Sequence, residues 1–225
     1  MRRYAVYAVP GASAGDADEA IRLRAAVEAW YLRDELHGLT IDARRYGFHA
    51  TLLAPFRLAS GHTEAELRAA AEAFAAGRAP VVIPGPRPAA MGGFRALLPN
   101  GDQDDLSALA ASVVRQFDGF RAPLNEADVR RRRVERLTPR QRELFDRWGY
   151  PYVFDEFHFH LTLTDSLPAE RTAEVDAASA QHFAGVAGVD VPLSGITISV
   201  EPQPGAAFEI LSVYPFAHRF ALETA

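Results

Sequence analysis

The uninterrupted apolar run from Tyr4 to Val9 reads as a buried strand. From Asp16 to Leu36 the apolar residues fall at helical spacings (Ile21, Leu23, Val27, Trp30, Tyr31) on an Ala-, Arg- and Glu-rich background, which predicts a helix. Strand character returns between Gly47 and Phe56. Thr63-Glu64-Ala65-Glu66 then has the form of a capping box and opens the next helix. Short strands are predicted at Val81 to Ile83 and Phe94 to Leu98, with the Gly- and Pro-containing stretch from Pro84 to Gly93 as a loop and Gly92-Gly93 as a hairpin or tight turn. Leu106, Leu109, Val113 and Phe117 mark a helix that Gly119 can close. Residues 126 to 147 predict one or two exposed helices, the second begun by Thr138-Pro139-Arg140-Gln141. A strand from Phe157 to Thr164, a helix from Pro168 to about Phe183, and strands at Val191 to Val200 and Phe208 to Tyr214 complete the chain.

The pattern repeats. Phe48-His49-Ala50-Thr51-Leu52 recurs as Phe159-His160-Leu161-Thr162-Leu163, 111 positions later, and each copy is followed by a predicted helix and two strands at similar offsets. This predicts an α+β protein of two pseudo-symmetric lobes, each an antiparallel sheet with helices, around a central cleft. It is read as a single bilobal domain over 1–225, with lobe 1 at about 1–120, an Arg-rich helical insertion at about 125–149 and lobe 2 at about 150–225.

Alternate residues of a strand share a face, so His49 and Thr51 point one way while Phe48, Ala50 and Leu52 point the other. In the second copy His158, His160, Thr162 and Thr164 form a polar row, as expected beside a wet cleft. A lone histidine is more often structural than catalytic; the duplication reverses that balance. Two imidazoles on opposite sides of one substrate can take and give protons near neutral pH, and two hydroxyls between them can hold phosphoryl oxygens during displacement at phosphorus.

Composition narrows the chemistry. The 24 basic residues are all Arg, which removes Schiff-base lysines and a Walker A lysine; the absence of cysteine removes thiol catalysis and zinc ribbons. A net charge of -5 gives no global attraction to nucleic acid or anionic lipid, and the N-terminal segment lacks a signal-peptide pattern, so a cytoplasmic protein is expected. No apolar stretch has the length of a membrane span.

The two His-x-Thr motifs, each followed by Leu, on a duplicated strand-helix-strand-strand plan resemble the 2H phosphoesterase superfamily, and the likeness covers most of the chain. Tyr46-Gly47-Phe48-His49-Ala50-Thr51-Leu52, Phe120-Arg121-Ala122-Pro123-Leu124 and Trp148-Gly149-Tyr150-Pro151-Tyr152-Val153 are similar to a bacterial branch associated with phosphonate-utilisation operons. The resemblance implies a metal-independent cyclic phosphodiesterase, a hydrolase without cofactor. Its catalytic positions match His49 and His160, with Thr51 and Thr162 as phosphate-binding residues. It implies a small-molecule cyclic phosphate such as 5-phosphoribosyl 1,2-cyclic phosphate, opened to ribose bisphosphate.

Tyr7, Tyr46, Tyr152, His158, Arg57, Arg130 and Arg133 are candidate substrate contacts, the aromatics with packing as the alternative. Arg95 shares the ambiguity of Arg57. His158 and His160 also fit a metal-ligand pair, which is discounted because Gly47 stands at the equivalent place in the first copy. His37, His62, His182 and His218 are read as surface residues. Residues 126 to 147 carry eight Arg against five acids, compatible with a solvated face, a phosphate grip or an RNA contact. The competing functions are a 2',3'-cyclic phosphodiesterase or ligase acting on RNA or nucleotide ends, and a non-catalytic phosphate- or RNA-binding module. Oligomeric state is left open.

Overall fold

The computed structural model describes residues 2–13, 15–131 and 134–217. It is a mixed α+β structure with antiparallel sheets. Strand β1 (Arg3–Ala8) lies inside a four-stranded sheet of order β2-β1-β8-β9, with β2 at Ala50–Phe56, β8 at Gly195–Glu201 and β9 at Glu209–Pro215. A second sheet has the order β4-β5-β6, with β4 at Arg87–Met91, β5 at Phe94–Leu98 and β6 at Leu161–Thr162. β3 (Val81–Ile83) pairs with β7 (Val191–Leu193).

The sheets are not assembled from contiguous halves of the chain. β8 and β9, from the expected second lobe, complete the sheet that carries the first motif, and β4 and β5, from the first, complete the sheet that carries the second. Both motif strands, β2 and β6, are edge strands.

Seven helices of the described residues surround these sheets. α1 (Asp18–Tyr31) buries Leu23, Val27, Trp30 and Tyr31; a 3-10 turn at Asp34–Leu39 and the short α2 (Ile41–Tyr46) replace the end of the expected longer helix. α3 (Glu64–Ala76) starts at the capping box, with Glu66 N donating to Thr63 Oγ1 at 3.2 Å and Thr63 N to Glu66 Oε2 at 2.8 Å. It packs on β8 and β9, while α4 (Asp104–Phe117) packs on β2, so both cover one face of the large sheet. α5 (Glu126–Arg131) and α6 (Pro139–Trp148) form the Arg-rich segment; α6 uses the Thr138 and Gln141 box and ends at the left-handed Gly149. α7 (Thr172–His182) completes the set.

Three segment readings need correction. The expected loop from Pro84 to Gly93 contains β4, which forms a hairpin with β5 across Gly92-Gly93, Met91 facing Phe94. The expected strand Val191 to Val200 is split at Ser194, because β7 and β8 pair with different partners and Gly195 passes so near β9 that a Cβ there would lie 2.6 Å from the Tyr214 carbonyl oxygen. The expected strand Phe157 to Thr164 pairs as a ladder only at Leu161 and Thr162. Beyond them Trp30 Nε1 donates to the Leu163 carbonyl at 3.0 Å and the Tyr31 hydroxyl to the Thr162 carbonyl at 2.6 Å. Side chains of α1 therefore do the work of a neighbouring strand.

Candidate active site

Tyr7 on β1 faces Thr51 on β2, so the two share the side of the sheet turned away from α3 and α4. Thr197, Ser199 and Glu201 of β8 stand opposite Tyr7, Ala5 and Arg3 and are all buried. A polar sheet face thus lies beneath the first motif. The Ile-Thr-Ile-Ser-Val-Glu alternation of residues 196 to 201 is its sequence signal, which the reading of that strand as part of a single longer one passes over.

The imidazoles of the two motifs are held by the same device. His49 Nδ1 lies 2.9 Å from the Gly47 carbonyl oxygen, and His160 Nδ1 lies 2.8 Å from that of His158, in each case two residues back. A carbonyl only accepts, so Nδ1 donates in both rings and Nε2 is the atom left for chemistry. His49 Nε2 is 3.2 Å from Thr51 Oγ1, whose hydroxyl donates to it in the neutral ring.

Tyr7 stacks on His49 with ring centroids 3.8 Å apart, and Phe94 packs at 5.8 Å from His160. Burial pushes the His49 imidazole down to about 4, with the positive form of His160 acting in the same direction and the Gly47 hydrogen bond opposing. Burial also lowers His160, opposed by the His158 carbonyl and aided by the His158 ring.

His49, Thr51 and Thr162 line one cleft with Tyr7, Tyr46 and Tyr150. His160 and His158 line an adjoining, more apolar one with Phe94, Tyr152 and Phe157; Thr51 and Tyr150 border both. The cavity volumes are about 270 and 400 Å³, the scale of a small phosphorylated ligand rather than a polymer groove. The four motif residues are thereby brought together at the junction of the two sheets.

α1 and α2 couple the motifs. The Asp165 carboxylate, just past the second motif, accepts from the amides of Asp42 and Ala43 at 3.0 and 2.9 Å. It caps α2, which leads through Tyr46 and Gly47 into His49. Tyr31, Trp30 and Asp165 are positioning residues that motif reading does not reveal, because their partners are distant backbone groups.

Other candidates fall outside the cleft. Thr164 is buried and accepts from Arg95 N at 3.0 Å, so it does not continue the polar row. Arg95 is buried and forms a bidentate pair with Asp176, away from both cavities. Arg57 lines a neighbouring recess and pairs with Asp128 at 3.0 Å. Arg130 is exposed beside Glu126. Arg133 and His218 lie outside the described residues. His37 and His62 are exposed, but His182 is half-buried: its Nε2 donates to the Ala26 carbonyl at 2.8 Å and its ring packs against Trp30. Gln141 of α6 borders the second cavity, so the Arg-rich segment meets the cleft through a neutral side chain. Among the described residues no group of three or more His, Cys, Asp or Glu is placed to hold a metal ion, and no helix is long and apolar enough to cross a membrane.

Two curated relatives align with this chain. One, named ribose 1,5-bisphosphate phosphokinase PhnN, from Janthinobacterium sp. (strain Marseille), is 44% identical over 186 residues, covering 81% of this chain and 41% of the relative. A protein of the same name from Laribacter hongkongensis is 39% identical over 168 residues, covering 75% and 38%. The chain therefore spans about two fifths of the length of these relatives. Among solved structures, one from Thermus thermophilus matches with a TM-score of 0.47 at 17% identity, over 96% of this chain and 98% of that one. A conserved protein of unknown function from Agrobacterium tumefaciens matches with a TM-score of 0.45 at 11% identity, over 94% and 85%. The family model described as "Protein of unknown function (DUF1045)" matches residues 51–209, and the chain belongs to that family.

Proposed function

We propose that the chain is a metal-independent cyclic phosphodiesterase of the two-lobed 2H type, with a small cyclic phosphate as substrate. The observation that carries this reading is the shared orientation of His49 and His160, each with Nδ1 tied to a carbonyl two residues back, which makes Nε2 the atom for proton transfer. His49, stacked under Tyr7 and neutral at pH 7, takes the proton of the attacking water. The water oxygen bonds to phosphorus, the ring P–O bond breaks, and the Nε2 proton of His160 passes to the leaving sugar oxygen. The negative charge of a bound cyclic phosphate favours the imidazolium form of His160 that this requires. Thr162 donates to a non-bridging oxygen, and the Thr51 hydroxyl turns from His49 Nε2 to the other once the attacking water takes its place at that nitrogen.

The relatives' name bears on the substrate. Hydrolysis of 5-phosphoribosyl 1,2-cyclic phosphate at the bond to O2 yields ribose 1,5-bisphosphate, the compound that name assigns to the phosphokinase. A chain without lysine cannot supply a P-loop lysine, so a P-loop kinase would occupy the part of those relatives that this chain does not span. We assign this chain the preceding ring opening in phosphonate catabolism. The aromatic lining of the second cavity, with Phe94, Tyr152 and Phe157, favours one alternative, a nucleoside 2',3'-cyclic phosphate.

Phosphorus NMR decides between them, with each cyclic phosphate offered to the protein and to His49→Ala, with and without chelator. Ring opening of the ribosyl compound alone, indifferent to chelator and absent in the variant, is expected. Turnover of the nucleotide alone would move the substrate to RNA ends, and turnover of neither would remove the proposed activity.

A further inference from the structure

The second cavity carries a charge that the proposed reaction does not use. Glu156 lines it together with Gln141, His160 and the rings of Phe94, Tyr152 and Phe157. Among the described residues no arginine pairs with Glu156, although its neighbour Asp155 takes a two-bond fork from Arg140. Its side-chain partner is Gln141, whose Nε2 donates to Glu156 Oε2 at 2.9 Å. The Gln141 amide has one orientation, because its other end accepts from Thr138 N at 3.2 Å in the capping box of α6 and a backbone N–H only donates.

This corner therefore has a fixed polarity. The Gln141 amide keeps one N–H to spare, and the carboxylate keeps acceptor sites on both oxygens, so the pair offers one donor beside two acceptors. If Glu156 served only to hold its turn against α6, the Arg140–Asp155 fork, with both bonds at 2.8 Å, would already do so; a neutral amide leaves the Glu156 charge unbalanced. That charge disfavours a phosphate in the second cavity and favours a neutral ligand edge with adjacent N–H donors. The walls suit a flat ligand. Phe94 comes from β5, Tyr152 and Phe157 come from the connection after α6, and Tyr152 is left 44% exposed. Unstacked bases are held in this way, a π-face on aromatic rings and an edge on polar groups. Of the four common bases only guanine presents one acceptor beside two donors, O6 with N1–H and the 2-amino group, which complements the Gln141 and Glu156 pair.

We propose that the second cavity is a subsite for a guanine base, read by Glu156 and Gln141, so that a guanosine phosphate is a second ligand of the cleft beside the ribosyl substrate, which has no base to place there. The position of its phosphate at the motif residues rests on the reading of the cleft as the reacting site; the base subsite rests on other residues. Four positions separate Glu156 from His160, at most about 14 Å of chain, the scale of a nucleoside 3'-phosphate from its phosphorus to the far edge of its base.

The test is calorimetric and needs no turnover. The 3'-monophosphates of guanosine, adenosine, cytidine and uridine are titrated into the wild-type protein, Glu156→Gln and, as a control for loss of negative charge, Glu143→Gln on the exposed side of α6. Wild type is expected to bind the guanosine compound at least about tenfold more tightly than each of the others, Glu156→Gln to shrink that preference to about threefold or less, and Glu143→Gln to keep it. The 3'-monophosphate of N1-methylguanosine, which lacks the N1 donor, probes the same edge without a variant and should bind wild type at least about tenfold more weakly than its parent. Equal binding of the four bases, no binding of any, a preference that survives in a folded Glu156→Gln, its equal loss in Glu143→Gln, or indifference to the N1 methyl group would overturn the proposal. A guanine preference in a protein that opens no cyclic phosphate would sustain the subsite and remove the proposed activity, whereas ring opening without any base preference would do the reverse.

Discussion

Acid is expected to destabilise this protein through His49 in particular. In the folded chain burial under Tyr7 holds the imidazole down to about 4, against 6.5 when it is exposed. Between those values the unfolded chain binds the proton and the folded chain does not, so stability falls as pH falls. The contribution of neutral His49 is complete above pH 6.5 and gone below about 4. At 1.36 kcal/mol per pKa unit the difference amounts to about 3 kcal/mol, a large share of a stability of about 5–15 kcal/mol. The perturbation is His49→Gln, which carries no charge at any pH and leaves the similarly directed effect of His160 in place. Urea unfolding followed by circular dichroism at pH 7, 5.5 and 4 should show wild type losing about 3 kcal/mol more than the variant over that range. The ring resonance of His49 should titrate near 4 in the folded protein. A midpoint near 6.5, or parallel pH dependences of the two proteins, would refute the account of His49 as a desolvated base.

Three further outcomes follow from the same geometry. Tyr31→Phe leaves the Thr162 carbonyl without its 2.6 Å donor and should cost about 1–3 kcal/mol in thermal unfolding, with a fall in kcat on the cyclic phosphate; unchanged stability and kcat would remove Tyr31 as a positioning residue. Gly47 has φ 73° and ψ 177°, a region open to glycine alone, so Gly47→Ala should cost about 1–3 kcal/mol although open space surrounds the site of its Cβ. It should also turn the carbonyl away from His49 Nδ1, read as a displaced His49 midpoint by NMR; a wild-type midpoint would show that the carbonyl had not moved. Tyr7→Phe removes a buried hydroxyl with no partner among the described residues, so its melting temperature should equal or exceed that of wild type, and a clear loss would mean that the hydroxyl has a bound water or other partner.

The features legible in the sequence are those in which a residue and its partner lie close along the chain. The two capping boxes, the Gly92-Gly93 turn and the alternation that puts His49 and Thr51 on one face all depend on neighbours within a few positions. The second motif itself is visible in the sequence for the same reason, and its His160 Nδ1 bond spans only two residues. The ladder around it was not. β6 is short because Trp30 and Tyr31, more than 130 residues away, satisfy its outer carbonyls, and a pattern of alternating residues cannot distinguish a carbonyl bonded to a strand from one bonded to an indole. Thr164 was misplaced by extending the alternation past the end of that ladder, where its hydroxyl instead accepts from Arg95 N.

The exchange of strands between the halves has a functional consequence that the repeat alone does not suggest. Because β8 joins the sheet of the first motif and β5 that of the second, neither half can present its motif alone. The backbone bonds from Trp30, Tyr31 and Asp165 then tie the motif segments to the same helices, and both motif strands remain at sheet edges. An edge strand in contact with solvent is usually a pairing hazard. Here the two edges border adjoining cavities, and on the proposed reading the groove between them is where two imidazoles held at the starts of strands from different sheets would address opposite sides of one phosphorus atom.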